Sequence, residues 1–167
     1  RRRLGSSIWG EDGDTLPAVV ARQLASRGYR LAVTELGTGG ALSTLLASDE
    51  RAAGSFEVAT VRPAPPARDE DAIRLAALRH AEESARHGGG LLGISLVYAG
   101  SLDERGVSHG RLVVAVSDGV SGRPFVAESQ VRAALGDVQR RAALSAIDAI
   151  RHYLDAPGEV GTDQPGR

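Results

Sequence analysis

The sequence predicts an α/β domain, a three-layer α/β/α sandwich around a mixed β-sheet. In the first half of the chain, apolar runs of strand length alternate with helical patterns, which is typical of parallel strands joined by helices. In the second half, the strand-like runs 111–117 and 125–131 flank a short polar segment and predict an antiparallel hairpin. The length of 167 residues suits one such domain with a sizeable core.

Four helices are predicted where apolar residues recur at intervals of three and four. The first has a capping residue at Asp14 or Thr15 and a glycine suited to a left-handed cap, Gly28, after its last turn. The third begins at Asp69. In chain order the stripes that define the four helices are Leu16, Val19, Val20 and Leu24; Leu42, Leu45 and Leu46; Ile73, Ala76, Ala77, His80 and Ser84; and Leu144, Ile147, Ile150 and Leu154.

Three further strands are predicted at residues 29–34, 56–61 and 91–97. The second of them runs into a segment, 62–68, in which three of four consecutive positions are proline, so we expect a stiff, exposed and extended loop. Residues 101–108 are polar and are predicted to form a turn region.

Composition sets the expected organisation and excludes several classes of function. Residues 14–155 are predicted to form the domain, 1–13 a linker from an upstream domain, and 156–167 a flexible tail. The absence of methionine leads us to expect a piece of a longer protein. A formal net charge of −1 gives no general attraction to nucleic acid or membrane, and no apolar run approaches the roughly 20 residues of a membrane span.

The residue types that are rare or missing add to these expectations. No signal peptide is visible, and the absence of cysteine excludes disulfides and cysteine nucleophiles, so we expect a cytoplasmic location. Alanine and valine dominate, and the chain has one tryptophan, three tyrosines and two phenylalanines. Thin core layers with closely spaced backbones should follow.

The turn after the strand 29–34 is the strongest candidate for a binding site. It leads into the second helix, whose free N–H groups carry partial positive charge and attract anions such as phosphate. Gly39 and Gly40 allow a ligand to approach the backbone, and the Thr38 hydroxyl can cap the helix or bind an oxygen. Positions 36 and 37 would lie at the carboxyl end of the strand, where open α/β sheets hold ligands. A capped helix without a ligand is the alternative interpretation.

The run Leu31-Ala32-Val33-Thr34-Glu35-Leu36-Gly37-Thr38-Gly39-Gly40 resembles a strand-turn-helix motif, Ala-Glu-Ser-Cys-Thr-Gly-Gly, of the C-terminal domain of CinA proteins. Ile8-Trp9-Gly10-Glu11, followed by Thr15-Leu16, is similar to the start of that domain, Ile-Tyr-Gly-Glu before a capped helix. Gly136-Asp137, followed by Arg140-Arg141 and a helix rich in alanine and leucine, also fits. The resemblance extends from about residue 4 to residue 154.

The resemblance implies a nicotinamide mononucleotide deamidase in which a serine, activated by a lysine, attacks the carboxamide. The serine falls on Leu36, which has neither a lone pair nor a proton to give. The chain has no lysine, and the nearest cations in that region, Arg62 and Arg68, stay protonated and cannot act as a base. The glycine-rich ligand loop of the family falls on residues 95–100, where the hydroxyl of Ser95 is kept.

We therefore predict no catalytic residue, no metal and no cofactor, and a degenerate ligand pocket made of Glu35, Thr38, Gly39, Gly40 and Ser95. The first hypothesis is a non-catalytic CinA-type domain that serves a larger CinA protein as an oligomerisation, partner-binding or ligand-binding module. The resemblance implies a homo-oligomer, expected to be a dimer, an upstream domain in the same protein, and links to competence and DNA damage. The second hypothesis is an active amidase that releases ammonia and nicotinate mononucleotide. The third is a sensor that binds a mononucleotide without cleaving it.

Two other groupings were weighed as sites. His80, Glu83 and His87 can share one helix face and hold a metal ion, although a solvated polar face is the favoured interpretation. Ser108 and His109 are neighbours in sequence, which rarely produces a nucleophile and its base.

Overall fold

The computed structural model describes residues 14–66, 69–87 and 90–156. The predicted linker 1–13 and residues 157–167 of the predicted tail lie outside these ranges and stay predictions. The helices are α1 (Leu16–Ser26), α2 (Ala41–Ala47), α3 (Glu70–Ala85) and α4 (Leu135–Asp155). The strands are β1 (Arg30–Leu36), β2 (Phe56–Arg62), β3 (Leu91–Leu102), β4 (Val107–Ser117) and β5 (Phe125–Ala134).

The strands form one mixed sheet in the order β2-β1-β3-β4-β5. β1 is parallel to both of its neighbours, whereas β3, β4 and β5 pair antiparallel through consecutive hairpins. Helix α3 packs on one face of the sheet, and α4, with α1 and α2 beside it, covers the other. The predicted α/β/α sandwich with a mixed sheet is confirmed.

The two faces of the sheet carry cores of different character. The core between the sheet and α1, α2 and α4 is built from bulky aliphatic side chains such as Leu24, Leu92 and Ile147. The core under α3 is smaller and contains mainly alanine and valine, together with Ile73 and Leu36. The bulky core carries most of the apolar burial that stabilises the fold, because burial energy scales with area.

The alanine-rich layer brings α3 very close to the sheet. A Cβ atom added to Gly93 of β3 would overlap the carbonyl oxygen of Ala81 and lie 2.6 Å from the backbone nitrogen of Ala85. Glycine is required at this position because the helix backbone rests directly on the strand. This contact agrees with the thin layers that the composition predicts.

The predicted starts of α1 and α3 agree with the structure, whereas the predicted turn 101–108 is correct only in part. Thr15 caps α1 by accepting a hydrogen bond from the Ala18 N–H, and Asp69 caps α3. However, β3 continues to Leu102 and β4 begins at Val107, so only the middle half of the predicted turn 101–108, residues 103–106, connects the two strands. Leu144, one of the four residues that mark α4 in the sequence, is 38% exposed, whereas Ile147, Ile150 and Leu154 are buried. None of the helices in the described ranges has the length and apolarity needed to cross a membrane.

Candidate functional site

Glu35 lies at the centre of the predicted site and is completely buried. One carboxylate oxygen accepts hydrogen bonds from the Thr38 hydroxyl at 2.6 Å and from the Leu42 N–H at 3.3 Å. The other accepts from the N–H and the hydroxyl of Ser43 at 2.9 and 2.7 Å. Four donors therefore satisfy a carboxylate that would be very costly to bury alone.

These hydrogen bonds occupy the N-terminus of α2, where the sequence predicted that an anion could bind. The free N–H groups at the start of α2 already face a negative charge, which the chain itself supplies through Glu35. Thr38 does not cap the helix as an acceptor, because its hydroxyl donates to Glu35 and the N-cap residue is Gly40. The role of Ser43 was missed, since nothing in the sequence links it to a carboxylate eight residues earlier.

The glycines of the turn are explained by the backbone. Gly37, Gly39 and Gly40 all have positive φ, between 65° and 80°, a region that other residues rarely adopt. A Cβ atom on Gly37 would overlap the Tyr98 carbonyl oxygen and lie 2.9 Å from the Cβ of Ala64. The turn is thus pressed between β3 and the loop that follows β2.

Leu36 points to the other face of the sheet, because successive side chains in a strand alternate. It is 8% exposed and belongs to the apolar cluster under α3. Its companions there include Ile73, Val97 and Ala99. The position to which the resemblance assigns the serine nucleophile is therefore part of a packed core.

Arg62 stands beside Leu36 as its register partner on β2. It is an exposed residue in the region where the resemblance implies a lysine, and its carbonyl oxygen accepts a hydrogen bond from the Gly37 N–H at 3.1 Å. The guanidinium stays protonated at any working pH and cannot accept a proton. Arg68, the other predicted neighbour, lies outside the described residues.

Ser95 does not join Glu35, because the two side chains lie on opposite faces of the sheet. Its hydroxyl is fully buried and has no hydrogen-bond partner among the described residues. Residues 95–100, where the resemblance implies a glycine-rich ligand loop, are instead continuous strand paired with β4. Three parts of the predicted pocket, Glu35, Thr38 and Ser95, are thus fully buried.

A groove of about 570 Å³ opens on the α3 face, and its lining shares Ile73 and Ala99 with the cluster that contains Leu36. It lies between the start of α3 and the outer ends of β3 and β4, and its lining includes Ile73, Ala99 and Arg111. Arg111 forms ion pairs with Glu128 and Glu70, and the hydrogen bonds that it donates to these two carboxylates raise its pKa. The pKa of Glu128 is lowered, chiefly by its hydrogen bond with Arg111. The charges at this rim are thus paired with each other.

The other groupings that the sequence suggested do not form sites. The Nδ1 of His87 donates to the carbonyl oxygen of Glu83, and the described ranges hold no cluster of three residues suited to a metal ion. Ser108 bonds the buried hydroxyl of Tyr98 at 2.7 Å. His109, on the other face of β4, lies 3.0 Å from Asp103, whose pKa is lowered mainly by the Val107 N–H.

Comparison with known sequences finds similarity to CinA-like proteins. The chain is 30% identical over 158 residues to a CinA-like protein of Thermomicrobium roseum, covering 92% of this chain and 37% of that protein. It is 34% identical over 171 residues to a CinA-like protein of Anaeromyxobacter dehalogenans, covering 90% of this chain and 40% of that protein. The chain therefore spans about two fifths of the curated relatives that it matches. No protein-family model matches the sequence.

Solved structures show the same fold. A competence-damaged protein (CinA) superfamily protein from Escherichia coli matches with a TM-score of 0.64 and 15% identity, over 92% of this chain and 99% of that one. A CinA superfamily protein from Klebsiella pneumoniae matches with a TM-score of 0.56 and 21% identity, over 83% and 95% of the two chains.

Proposed function

Since this chain belongs to the CinA family, we propose that it is a CinA-type domain without deamidase activity, which serves a larger protein as an oligomerisation or partner-binding module. Its fold is kept for assembly, whereas the groups that the resemblance implies for hydrolysis are replaced. The chain accounts for only part of its relatives' length, so this role is that of one domain.

The observation that carries the proposal is the packing of Leu36. Hydrolysis of an amide by a serine needs a hydroxyl that reaches the substrate and a base within hydrogen-bond distance of it. Leu36 offers no hydroxyl, is 8% exposed, and contributes to the core under α3. Its strand neighbour Arg62 offers no base.

The contacts at the start of α2 also argue against the binding of a mononucleotide. A phosphate at this turn would have to compete with the Glu35 carboxylate for the Leu42 and Ser43 N–H groups. Two negative charges at one short helix terminus repel each other. A mononucleotide is therefore not expected to bind here, which favours a module that binds protein.

The test is an assay of the purified chain with nicotinamide mononucleotide, in which ammonia and nicotinate mononucleotide are both measured. We expect no turnover from the wild type or from Leu36→Ser, because the single substitution restores a hydroxyl without a base. An active CinA family deamidase serves as the positive control. Turnover by the wild type, lost on substitution of Thr38 or Ser95, would overturn the proposal, and turnover by Leu36→Ser would show that the base is misplaced.

A thermal shift experiment separates the module from a nucleotide sensor. Ligands that bind the folded state raise the melting temperature in proportion to their affinity and concentration. We expect an unchanged melting temperature with nicotinamide mononucleotide and with other mononucleotides. A reproducible rise without ammonia release would favour the sensor.

A further inference from the structure

A groove of about 640 Å³ runs between α1 and the 3₁₀ turn Ala53–Ser55, and we call it the α1 groove. Tyr29 and Arg30 line it, so it lies where β1 begins, at the edge of the sheet opposite to Leu36. Its volume is within the range of pockets that hold a bound group. The α1 groove is therefore separate from the site that the sequence predicted.

Small residues form the floor of the α1 groove. Ala18, Ala21 and Ala25 line it from α1, and their spacing of three and four places them on one face of the helix. On the opposite wall, a Cβ atom added to Gly54 would meet nothing within 4 Å. Tyr29 is the only bulky apolar side chain that the described residues contribute to the lining. The groove thus has room for a large apolar side chain.

Ion pairs fix the point at which the preceding chain reaches this groove. Asp14, the first described residue, lines the groove, and its carboxylate lies 2.6 Å from the guanidinium of Arg22 and 3.6 Å from that of Arg51. On the far side Arg30 pairs with Glu57. Residues 1–13 therefore join the domain at the wall of the α1 groove.

The segment 1–13 contains three bulky apolar residues, Leu4, Ile8 and Trp9. Trp9 precedes Asp14 by five positions, and five extended residues span roughly 17 Å. Helix α1 has 11 residues, which corresponds to a length of about 16 Å. The side chain of Trp9 can therefore reach any part of the groove along α1.

We propose that Trp9, with Ile8 beside it, binds in the α1 groove and anchors the segment 1–13 to the domain. Tryptophan supplies more apolar area than other side chains, and its ring packs favourably near another ring such as that of Tyr29. The anchor covers the alanine face of α1. It also sets the direction from which the expected upstream domain approaches, which goes beyond the proposed function.

The chain suits a fluorescence test because Trp9 is its only tryptophan. We expect the native chain to emit at a shorter wavelength than the chain unfolded in urea, and acrylamide to quench it several-fold less efficiently. Quenching equal to that of the unfolded chain would overturn the proposal. Protection that disappears on dilution would also overturn it, because the contact would then come from a second copy.

The substitution Ala25→Gln tests whether the α1 groove is the place of protection. Ala25 is exposed and helical, so glutamine is compatible with the helix but occupies the groove. We expect quenching to rise several-fold while a thermal melt shows that the domain stays folded. Ala72→Gln, at an exposed alanine of α3, is the matched control and should keep the quenching of the wild type. Equal quenching of the two variants would refute the groove as the binding site of Trp9.

A second measurement locates the indole ring without altering the groove. An aromatic ring displaces the NMR resonances of groups that pack against it, so Trp9→Ala should shift the methyl resonances of Ala21 and Ala25. The methyl groups of Ala77 and Ala81, buried under α3, are the control and should not move. Unchanged resonances of Ala21 and Ala25 would overturn the proposal. The proposed function would still stand, because the ammonia assay decides it independently of this groove.

Discussion

Glu35 and Leu36 are adjacent in the chain, yet their side chains lie on opposite faces of the sheet, and they differ in whether they match the family motif. Glu35 keeps the residue type of the family motif and organises the start of α2 through four hydrogen bonds. Leu36 departs from the motif and fills the small core under α3. The comparison teaches that two adjacent positions of one motif can serve different parts of the structure, so that one can be replaced while the other keeps its hydrogen bonds.

The substitution Gly93→Ala tests the close packing of α3 on the sheet, where Leu36 lies, and is expected to have the largest effect. The added methyl group would collide with the backbone of Ala81 and Ala85, so α3 has to move away from the sheet. Overpacking against backbone should cost about 3 kcal/mol or more in the free energy of unfolding, measured by urea denaturation. Gly136→Ala is the control, because a Cβ atom there meets open space. Equal stability of the two variants would show that α3 is not seated on β3 as described.

The substitution Glu35→Gln tests the hydrogen bonds at the start of α2. It keeps the shape of the Glu35 side chain and removes its negative charge. An amide group can accept with only one of its two ends, so donors at the start of α2 lose their partner. The expected loss is about 2–3 kcal/mol, or a fall of roughly 5–10 °C in melting temperature. Glu50→Gln, at an exposed position, is the control and should change little. A stability equal to the wild type would remove Glu35 from its structural role.

The substitution Leu36→Ala tests whether the leucine side chain at position 36 stabilises the fold. Truncation leaves a cavity beside Ile73 and Val97, and we expect a loss of about 2 kcal/mol. The exposed Leu75→Ala provides the comparison and should be nearly neutral. If both substitutions were neutral in urea denaturation, Leu36 would be filling no core, and the space beside it would be available to a ligand.

Ser95→Ala has the smallest expected effect and the opposite sign. The variant removes a buried hydroxyl that has no partner among the described residues, so stability should rise by up to about 1 kcal/mol. Ser84→Ala is the matched control, since the Ser84 hydroxyl lies 2.9 Å from that of Thr34, and it should lose a similar amount. A loss in Ser95→Ala would indicate that its hydroxyl has a partner in solution.

Much of the fold could be predicted from the sequence, because it depends on local signals. Thr15, Asp69 and Gly28 mark helix ends through short-range hydrogen bonds and backbone preference, and they occupy the predicted positions. The polar segment between β4 and β5 likewise predicted the hairpin correctly. The family resemblance was confirmed by relatives that cover most of the chain.

What the sequence did not predict depends on contacts between distant parts. Residues 101–108 were predicted to be a turn, but β3 and β4 extend into this segment, and Gly100 and Gly110 face each other across the two strands, where a Cβ atom on either would contact the ring of Tyr98. Likewise, the anion expected at α2 is the chain's own Glu35, which becomes evident only when strand and helix are placed together. The burial of Ser95 follows from the same tertiary arrangement.

The unbroken course of β3 limits how this domain could change. The last residue of β1, Leu36, pairs with Val97, and β3 continues to Leu102, so a hairpin arm extends past the strand end where the resemblance implies a glycine-rich ligand loop. Exchanging two side chains would not turn this segment into a loop, because its main chain is held by a ladder of hydrogen bonds to β4. Under the proposal that this domain has no deamidase activity, point mutations at Leu36 and Arg62 alone would therefore not be sufficient to give it that activity.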